Sequence, residues 1–204
     1  MEGHKDGVLC LGHDNLHNKL VSGSADRTVR VWDIMPHEPV CDGELKGHRG
    51  GVTSIAVGGK CLVTGSVDCT LKVWDVSSMR EVAQYGGHKG LIHGIIVLGD
   101  MAISTSQDKC IKIWDLRLGV CVTTIETVAR GCYGLAVHDI KMLQASGSKI
   151  FTWDLRKIAS STMNEEQRNN FGRYDTLTGN ASGVYGHQMV GDRCVCVCAR
   201  ARGR

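Results

Sequence analysis

Three stretches of this chain carry the same twelve-residue pattern. They read SGSADRTVRVWD from Ser22 to Asp33, TGSVDCTLKVWD from Thr64 to Asp75, and STSQDKCIKIWD from Ser104 to Asp115. A degraded fourth copy ends at Trp153-Asp154, and the four Trp-Asp pairs stand 42, 40 and 39 residues apart. Self-similarity at a period near 40 residues indicates an array of equivalent structural units rather than one irregular core.

Each unit has the period-two pattern that is typical of short β-strands. In the second unit VTSIAV, CLVTGS and TLKVWDV alternate small, apolar and β-branched residues, and the run from Glu81 to Tyr85 supplies a fourth strand. Asp68-Cys69 and Asp108-Lys109 mark tight turns between strands. The pattern therefore predicts units of about four strands in about 40 residues.

A Gly-His pair precedes the Trp in three of the units, with 26 to 28 residues from His to Trp, and an Asp lies six residues before the same Trp. This arrangement resembles the WD-repeat β-propeller family, and the resemblance covers Gly3 to Leu155. It implies an all-β fold, a WD-repeat β-propeller of about four blades of four antiparallel strands, in an open or incomplete ring. The blades are expected at residues 3–46, 47–86, 87–126 and 127–155.

The resemblance also implies a chain of hydrogen bonds inside each blade, termed here the structural lock. The Asp holds the His ring, the His meets a Ser or Thr hydroxyl, and that hydroxyl meets the indole N–H of the Trp, so that each buried polar group has a partner. Carried over by position, the lock residues are His4, Ser22, Asp26 and Trp32, then His48, Thr64, Asp68 and Trp74, then His88, Ser104, Asp108 and Trp114, with Trp153 in the fourth unit.

The fourth unit departs from this pattern. Counted back from its Trp, the His position falls at about Val128 and the Asp position at about Gly147. Neither residue can make the polar contacts of the lock. We therefore expect a fourth blade without a polar lock and with lower stability than the other three.

Ser, His and Asp together also allow a different hypothesis, a hydrolase that uses Ser22 or Ser104. A catalytic triad is needed once, with an exposed nucleophile and an oxyanion hole. Here the trio occurs three times at one spacing, each time with a Trp, and the sequence has no Gly-x-Ser-x-Gly elbow, phosphate loop or His-Glu-x-x-His motif. The sequence thus favours a protein that is not an enzyme and that has no cofactor.

The resemblance further implies a partner-binding rim at the positions three and five after the His and one before the Asp. The mapped positions that we expect to contact a partner are Leu9, Thr53, Val67, Leu91, His93, Gln107 and Tyr133, beside Gly7, Ala25, Gly51 and Gly131. These positions are small, neutral and partly apolar, and they include no Arg or Lys cluster, which argues against nucleic acid or a phosphopeptide.

This rim predicts a protein or peptide partner and a non-enzymatic interaction scaffold. The alternative is a substrate receptor of a ubiquitin ligase complex, a role common in the family, although these 204 residues contain no F-box or RING-type Cys/His segment.

Residues 156–204 are polar, have no strand rhythm and end in CVCVCARARGR. We expect a disordered low-complexity tail there. A Cys-x-Cys-x-Cys metal site is the alternative for the last cysteines, but no spaced second Cys pair completes a four-ligand set, so no metal is predicted.

The start of the chain, MEGHKDG, has neither the basic residues nor the apolar run of a secretory signal, and the net charge of +3 creates no strong field toward a membrane. We expect a cytoplasmic or nuclear protein with reduced thiols and no membrane association. Four units are few for a closed ring. The chain is therefore expected to be a fragment of a longer WD-repeat protein, to associate with itself to complete the ring, or to dock on another propeller.

Overall fold

The computed structural model describes residues 2–14, 17–58, 61–127, 134–138, 141–146, 149–154, 176–178, 184–190 and 193–198. The regular secondary structure in these ranges consists of β-strands alone, in four four-stranded antiparallel sheets and one two-stranded hairpin. Each four-stranded sheet, termed a blade, pairs its strands in chain order. The predicted all-β architecture of four-stranded units is confirmed.

The strands of the first three blades follow the repeats closely. The first blade consists of β1 (Val8–Asp14), β2 (Lys19–Ser24), β3 (Thr28–Asp33) and β4 (Val40–Lys46). The second consists of β5 (Val52–Gly58), β6 (Cys61–Ser66), β7 (Leu71–Asp75) and β8 (Arg80–Tyr85). The third consists of β9 (Ile92–Leu98), β10 (Met101–Ser106), β11 (Cys110–Asp115) and β12 (Val120–Glu126).

Irregularities of the strand pairing recur at the same two places in these blades. One register shift lies at the start of the first strand, and another lies beside the Trp of the third strand. The turn after the second strand is also conserved in shape, because Arg27, Cys69 and Lys109 all adopt a left-handed backbone with φ of 72°, 67° and 67°. Bulges and turns re-aim nearby side chains, so their repetition gives the three locks one geometry.

The apolar core lies between neighbouring blades. Each blade contributes four apolar side chains from its second, third and fourth strands to the interface with the next blade. In the first blade these are Val21, Val29, Val31 and Leu45, in the second Val63, Leu71, Val73 and Tyr85, and in the third Ile103, Ile111, Ile113 and Ile125. The following blade contributes side chains to the same interface, such as Val52, Leu62 and Trp74 in the second blade. Every interface is therefore built from the same positions of the repeat.

The fourth blade consists of β13 (Gly134–His138), β14 (Lys141–Ser146), β15 (Lys149–Asp154) and β16 (Thr176–Thr178). Its last strand comes from residues 176–178, so the boundary predicted at residue 155 falls inside this sheet. The sequence pattern did not indicate β16 because the strand has only three residues and lies far from β15 along the chain.

A hairpin of β17 (Val184–Val190) and β18 (Arg193–Cys198) follows the fourth blade. Its pairing repeats that of β5 and β6 position by position, including the register shift at the start of the first strand. β17 contacts β13 and β14, as β5 contacts β1 and β2. The structure thus places strands in a segment where the sequence analysis expected a tail without them.

Candidate functional site

The lock of the second blade is built around the hydroxyl of Thr64. The Nε1–H of Trp74 donates a hydrogen bond of 2.8 Å to Thr64 Oγ1, and this oxygen lies 2.8 Å from Nε2 of His48. On the other side of the imidazole ring, Nδ1 of His48 lies 3.0 Å from Oδ2 of Asp68. Thr64, Trp74 and His48 are buried, and Asp68 at the end of the chain of bonds is partly buried.

The first and third blades bring their predicted lock residues together in the same way. The Nδ1–Oδ2 distances are 2.9 Å for His4 and Asp26 and 2.8 Å for His88 and Asp108. The Nε2–Oγ distances are 2.7 Å for His4 and Ser22 and 2.8 Å for His88 and Ser104. The indole N–H of the Trp in each blade donates to the same serine hydroxyl over 2.8 Å. In all three blades the imidazole meets the indole edge-on at an interplanar angle of 63°.

One tautomer of the neutral imidazole satisfies the whole chain of hydrogen bonds. A neutral imidazole that donates from Nδ1 to the carboxylate accepts from the hydroxyl at Nε2, and the hydroxyl oxygen then accepts from the indole. Burial lowers the pKa of His48 and of His88, although the neighbouring carboxylates act in the opposite direction. Every donor and acceptor in the chain is used when the imidazole is neutral.

The lock carboxylates are held in their ionised form. Burial alone would raise the pKa of Asp68, but hydrogen bonds from the Thr70 hydroxyl, the backbone N–H groups of Arg49 and Thr70, and His48 outweigh it and lower the pKa to about 2. The pKa of Asp26 and that of Asp108 are also below the usual range, with burial again opposing the hydrogen bonds. The Asp therefore ties the Gly-His loop to the turn after the second strand.

A second layer of polar residues, which the sequence analysis missed, supports the lock. The hydroxyls of Ser24, Ser66 and Ser106 donate to the backbone carbonyls of Asp6, Gly50 and Gly90, and each accepts the backbone N–H of its lock Asp. Thr28 and Thr70 donate to Oδ1 of their lock Asp over 2.6 Å. The signal was available, because a Ser stands two residues before the Asp in all three units.

The geometry gives the repeated Ser, His and Asp a structural role. Ser22 is 4% exposed and Ser104 is fully buried, and each hydroxyl lies under a Trp that already donates to it. A catalytic nucleophile has to be accessible to its substrate. The hydroxyls of Ser22 and Ser104 are not accessible in this way.

The predicted rim positions that the structure describes divide into an exposed and a half-buried group. Leu9 is 51% exposed, Val67 is 47% exposed, and Gln107 is exposed. Thr53 is half-buried, and its hydroxyl donates to the carbonyls of Gly65 in its own blade and Ile92 in the next. It therefore joins two blades.

Leu91 and His93 are also half-buried, and burial lowers the pKa of the His93 imidazole. Tyr133, Gly131, Val128, Gly147 and the side chain of Trp153 lie outside the described residues.

Two exposed side chains of the first two blades, Leu9 and Val67, lie on either side of the half-buried Ala25 and Gly51, and these four residues are termed the rim patch. A Cβ atom built on Gly51 would lie 3.4 Å from Leu9 Cδ1 and 3.2 Å from Ala25 Cα. The backbone N–H of Val67 donates to the carbonyl of Gly51 over 2.9 Å, and Ala25 donates in the same way to Gly7. These backbone hydrogen bonds occur at equivalent positions of the two repeats, and they fix the backbone of the patch.

Exposed basic side chains border this end of the blades. They directly follow the lock His or the lock Asp in the sequence, at Lys5, Arg27, Arg49, Lys89 and Lys109. The rim positions mapped from the sequence are neutral and omit these residues, so the basic border corrects the prediction of a neutral rim. Each of these residues stands next to a residue of a lock, and the ionised lock carboxylates weaken the positive field they create.

Metal binding and membrane insertion find no support in the part of the chain that the structure describes. It contains no group of three or more His, Cys, Asp or Glu side chains placed to hold a metal ion. None of its residues forms a helix of the length and hydropathy that crossing a bilayer requires. The thiols of Cys10, Cys41, Cys61, Cys69, Cys110 and Cys121 are free.

Comparison with known proteins agrees with this architecture. The family model described as "WD domain, G-beta repeat" matches residues 1–33, 39–75 and 79–115, which together make up more than half of the chain. The chain therefore belongs to the WD-repeat family. It is also similar to the crystal structure of the computationally designed Ika8 protein, with a TM-score of 0.77 and 23% identity over 97% of this chain and 57% of that chain. That likeness concerns the fold.

Curated relatives match only over short segments. The chain is 41% identical over 56 residues to THO complex subunit 3 of Arabidopsis thaliana, which covers 26% of this chain and 18% of that protein. It is 35% identical over 60 residues to nuclear distribution protein nudF of Emericella nidulans, and this match covers 29% of this chain and 13% of that protein. It is 45% identical over 38 residues to a WD repeat-containing protein 53 homolog of Dictyostelium discoideum, and this match covers 19% of this chain and 10% of that protein. The chain thus spans less than a fifth of each relative.

The third blade lacks one hydrogen bond of the second polar layer, because Cys110 stands where the other blades have Thr28 and Thr70. We predict that Cys110→Thr raises the free energy of unfolding by about 0.5–1.5 kcal/mol, since the new hydroxyl can donate to Oδ1 of Asp108. The matched control, Thr70→Cys, removes the equivalent bond and should lower it by a similar amount. Urea denaturation measures both, and the same sign for the two variants would contradict the prediction.

Acidification should destabilise the protein through the lock histidines. The folded-state pKa of His48 and of His88 lies below the ordinary value of 6.5, so the unfolded chain binds protons that the folded chain does not. Their stabilising effect is complete above pH 6.5 and decreases as the pH falls toward the folded-state pKa.

Below that range the lock carboxylates act in the same direction, since the Asp68 pKa of about 2 lies under the ordinary 3.8. We predict a steady fall of the midpoint temperature between pH 7 and pH 4, measured by circular dichroism. A midpoint that is constant or rises over this range would contradict it.

Proposed function

We propose that this chain is a non-enzymatic scaffold that binds a protein segment through the rim patch. WD-repeat proteins are in general non-enzymatic scaffolds for protein interaction. The observation that carries the proposal is the contrast between the two sets of residues at the loop end of the blades. The lock hydroxyls are buried and bonded, whereas Leu9 and Val67 are about half exposed on neighbouring blades.

The rim patch has the properties of a small binding surface. Its apolar side chains are mounted on backbone that is fixed by the hydrogen bonds from Ala25 to Gly7 and from Val67 to Gly51, each 2.9 Å long. A surface ordered before binding loses little conformational entropy on association. A few exposed apolar residues at the centre of an interface commonly supply most of its binding energy.

The basic border indicates which partner would fit. A partner segment with one or two apolar side chains would cover the patch, and acidic residues beside them would lie near Lys5, Arg27 and Arg49. Charges at the rim of an interface act mainly on the association rate and on specificity, and salt screens them. We therefore propose an acidic protein segment with apolar anchors as the bound class.

The test is affinity capture from cell extract with quantitative mass spectrometry. The double variant Leu9→Asp with Val67→Asp should recover at least about tenfold less partner than the unmodified chain does, since each change places a charge in the apolar contact. Val82→Asp is the matched control, because Val82 is 66% exposed on β8 and lies outside the rim patch.

Both variants should keep the midpoint temperature of the unmodified chain within a few degrees, which shows that the fold is intact. Equal recovery of the same proteins by the rim variant and by the control would overturn the proposal. If partner recovery persists in 1 M salt, the partner is not acidic, but the proposal that it binds through the rim patch stands.

Two finer predictions depend on the same experiment, and a third concerns the location of the protein in the cell. A substrate receptor of a ubiquitin ligase would use this rim too, and ligase subunits would then be recovered with the unmodified chain. Self-association would appear as copies of the chain itself in the captured material. A cytoplasmic or nuclear location fits the free thiols of the described cysteines, because disulfides are rare in those compartments.

A further inference from the structure

The end of the blades opposite to the locks, termed the far end, is built differently in the first blade. The β1–β2 connection of this blade leads from Asp14 to Lys19, and its β3–β4 connection leads from Asp33 to Val40. Each is two residues longer than the equivalent connection of the second and third blades. Insertions in single repeats lie in loops on one face of a repeat protein, and this face is often the binding face. The far end of the first blade is therefore a candidate for a second interaction surface.

This end of the first blade also carries three charged residues that the next two blades lack. The strand pairing aligns Asp14 with Gly58 and Leu98, Lys19 with Cys61 and Met101, and Asp42 with Val82 and Val122. A blade therefore forms without a charge at any of these positions. Asp14 is nevertheless only 2% exposed, and the burial of a carboxylate costs free energy. Departures from the rules of a fold are expected at functional sites.

A groove with a volume of about 740 Å³ lies between the far ends of the first and second blades. Its apolar lining consists of Val31 of β3 with Val76 and Met79 of the β7–β8 connection, and the last two pack against the core cluster that contains Val31. Met79 extends to β4 of the first blade, where a Cβ atom on Gly43 would lie 3.4 Å from the Met79 sulfur. The groove is large enough to receive side chains of a partner.

The polar lining of this groove has an excess of negative charge. In the part that the structure describes, it includes the carboxylates of Asp14, Asp42 and Asp75 and the ammonium group of Lys19. Lys19 Nζ lies 2.5 Å from Oδ2 of Asp42 and 2.8 Å from Oδ2 of Asp33. One ammonium group is thus shared by two carboxylates, which leaves a negative charge at this pair.

The two carboxylates next to this pair have different tasks. Asp14 binds the backbone N–H of His17, and its Oδ2 lies 2.6 Å from His17 Nδ1, so it holds the longer β1–β2 connection in place. Asp75 belongs to the second blade and accepts the backbone N–H of Ser77 over 2.8 Å. Hydrogen bonds from Ser77 lower the pKa of Asp75. Asp75 therefore adds a negative charge on the other side of the groove.

We propose that this groove, termed the far-end groove, binds a basic side chain of a protein partner. Long basic side chains combine an aliphatic stem with a charged head. The stem would lie on Val76 and Met79, and the head would donate charge-assisted hydrogen bonds between Asp42 of the first blade and Asp75 of the second. The proposal does not depend on the rim patch, which lies at the other end of the blades and has a basic border.

The test is a titration of the chain with the synthetic peptide acetyl-Gly-Leu-Arg-Leu-Gly-amide, followed through the backbone amides by nuclear magnetic resonance. We expect saturable shifts of the amides of Lys19, Asp42 and Ser77. The matched probe is the same peptide with citrulline in place of arginine, because citrulline has nearly the same shape and no charge. It should bind at least about tenfold more weakly, since hydrogen bonds to a charged group are the stronger ones.

Two variants test the assignment of the groove. Asp42→Val gives the first blade the residue that the second and third blades have at this position, so the blade should keep its fold. It should weaken binding of the arginine peptide at least about fivefold, because a charged partner is lost. The matched control is Glu44→Val, which removes the same charge from the same strand outside the groove lining. The control should change the affinity by less than about twofold, since salt screens distant charges.

Four results would overturn the proposal. They are the absence of saturable shifts, shifts that are confined to residues away from the far end, equal affinity for the citrulline peptide, and equal weakening by Asp42→Val and Glu44→Val. If Asp42→Val alters the amide spectrum of the whole chain, Asp42→Asn replaces it, because asparagine keeps the shape and removes the charge. A failure of partner capture through the rim patch would leave these results unaffected, since the two surfaces share no residue.

Discussion

The hydroxyl of Thr64, held between an imidazole and an indole, is the interaction on which the rest of the blade depends. Ser22 and Ser104 take its place in the first and third blades, with distances that agree within 0.1 Å. The oxygen can serve both rings only if the second strand, the third strand and the Gly-His loop keep fixed positions. A buried polar network of this kind is stabilising only when each member has its partner.

Apolar stacking and the lock have separate tasks in this fold. The stacking of Val, Leu and Ile side chains between blades removes apolar surface from water and supplies most of the stability, but it has little directional preference. The lock is directional, and it continues through the carboxylate of Asp68 to the backbone of Arg49 and Thr70. Those residues adjoin the rim, so the polar network determines the shape of the surface that we propose for partner binding.

Much of the fold could be predicted because each blade repeats the same local rules. The strand predicted from CLVTGS begins and ends where β6 does, and Glu81 to Tyr85 differs from β8 by one residue. The lock residues could be placed because spacing along the chain is constant from one unit to the next. Repetition also indicated a structural role for the Ser-His-Asp sets, and the buried, bonded hydroxyls of Ser22 and Ser104 fit that role.

The features of the fold and of the rim that were not predicted depend on information that the sequence pattern does not contain. β16 has three residues and follows a long connection, so no alternation marks it. Thr53 and Leu9 occupy the same position of the repeat, yet Thr53 joins two blades and Leu9 is exposed, because threonine has a hydroxyl that donates to the carbonyl of Ile92 and leucine has no donor. The basic border was overlooked because the mapped rim positions omitted the residues next to the lock.

The most direct measurement of this account compares Thr64→Val with Thr64→Ser by chemical denaturation. Valine keeps the shape of the side chain and removes the hydroxyl, which leaves buried nitrogens of His48 and Trp74 without their partner, whereas serine keeps the hydroxyl and is the natural residue in the first and third locks. We expect a loss of about 2–4 kcal/mol in the free energy of unfolding for the valine variant and of about 1 kcal/mol for the serine variant. Equal stability of the two variants would show that the hydroxyl does not hold the blade together.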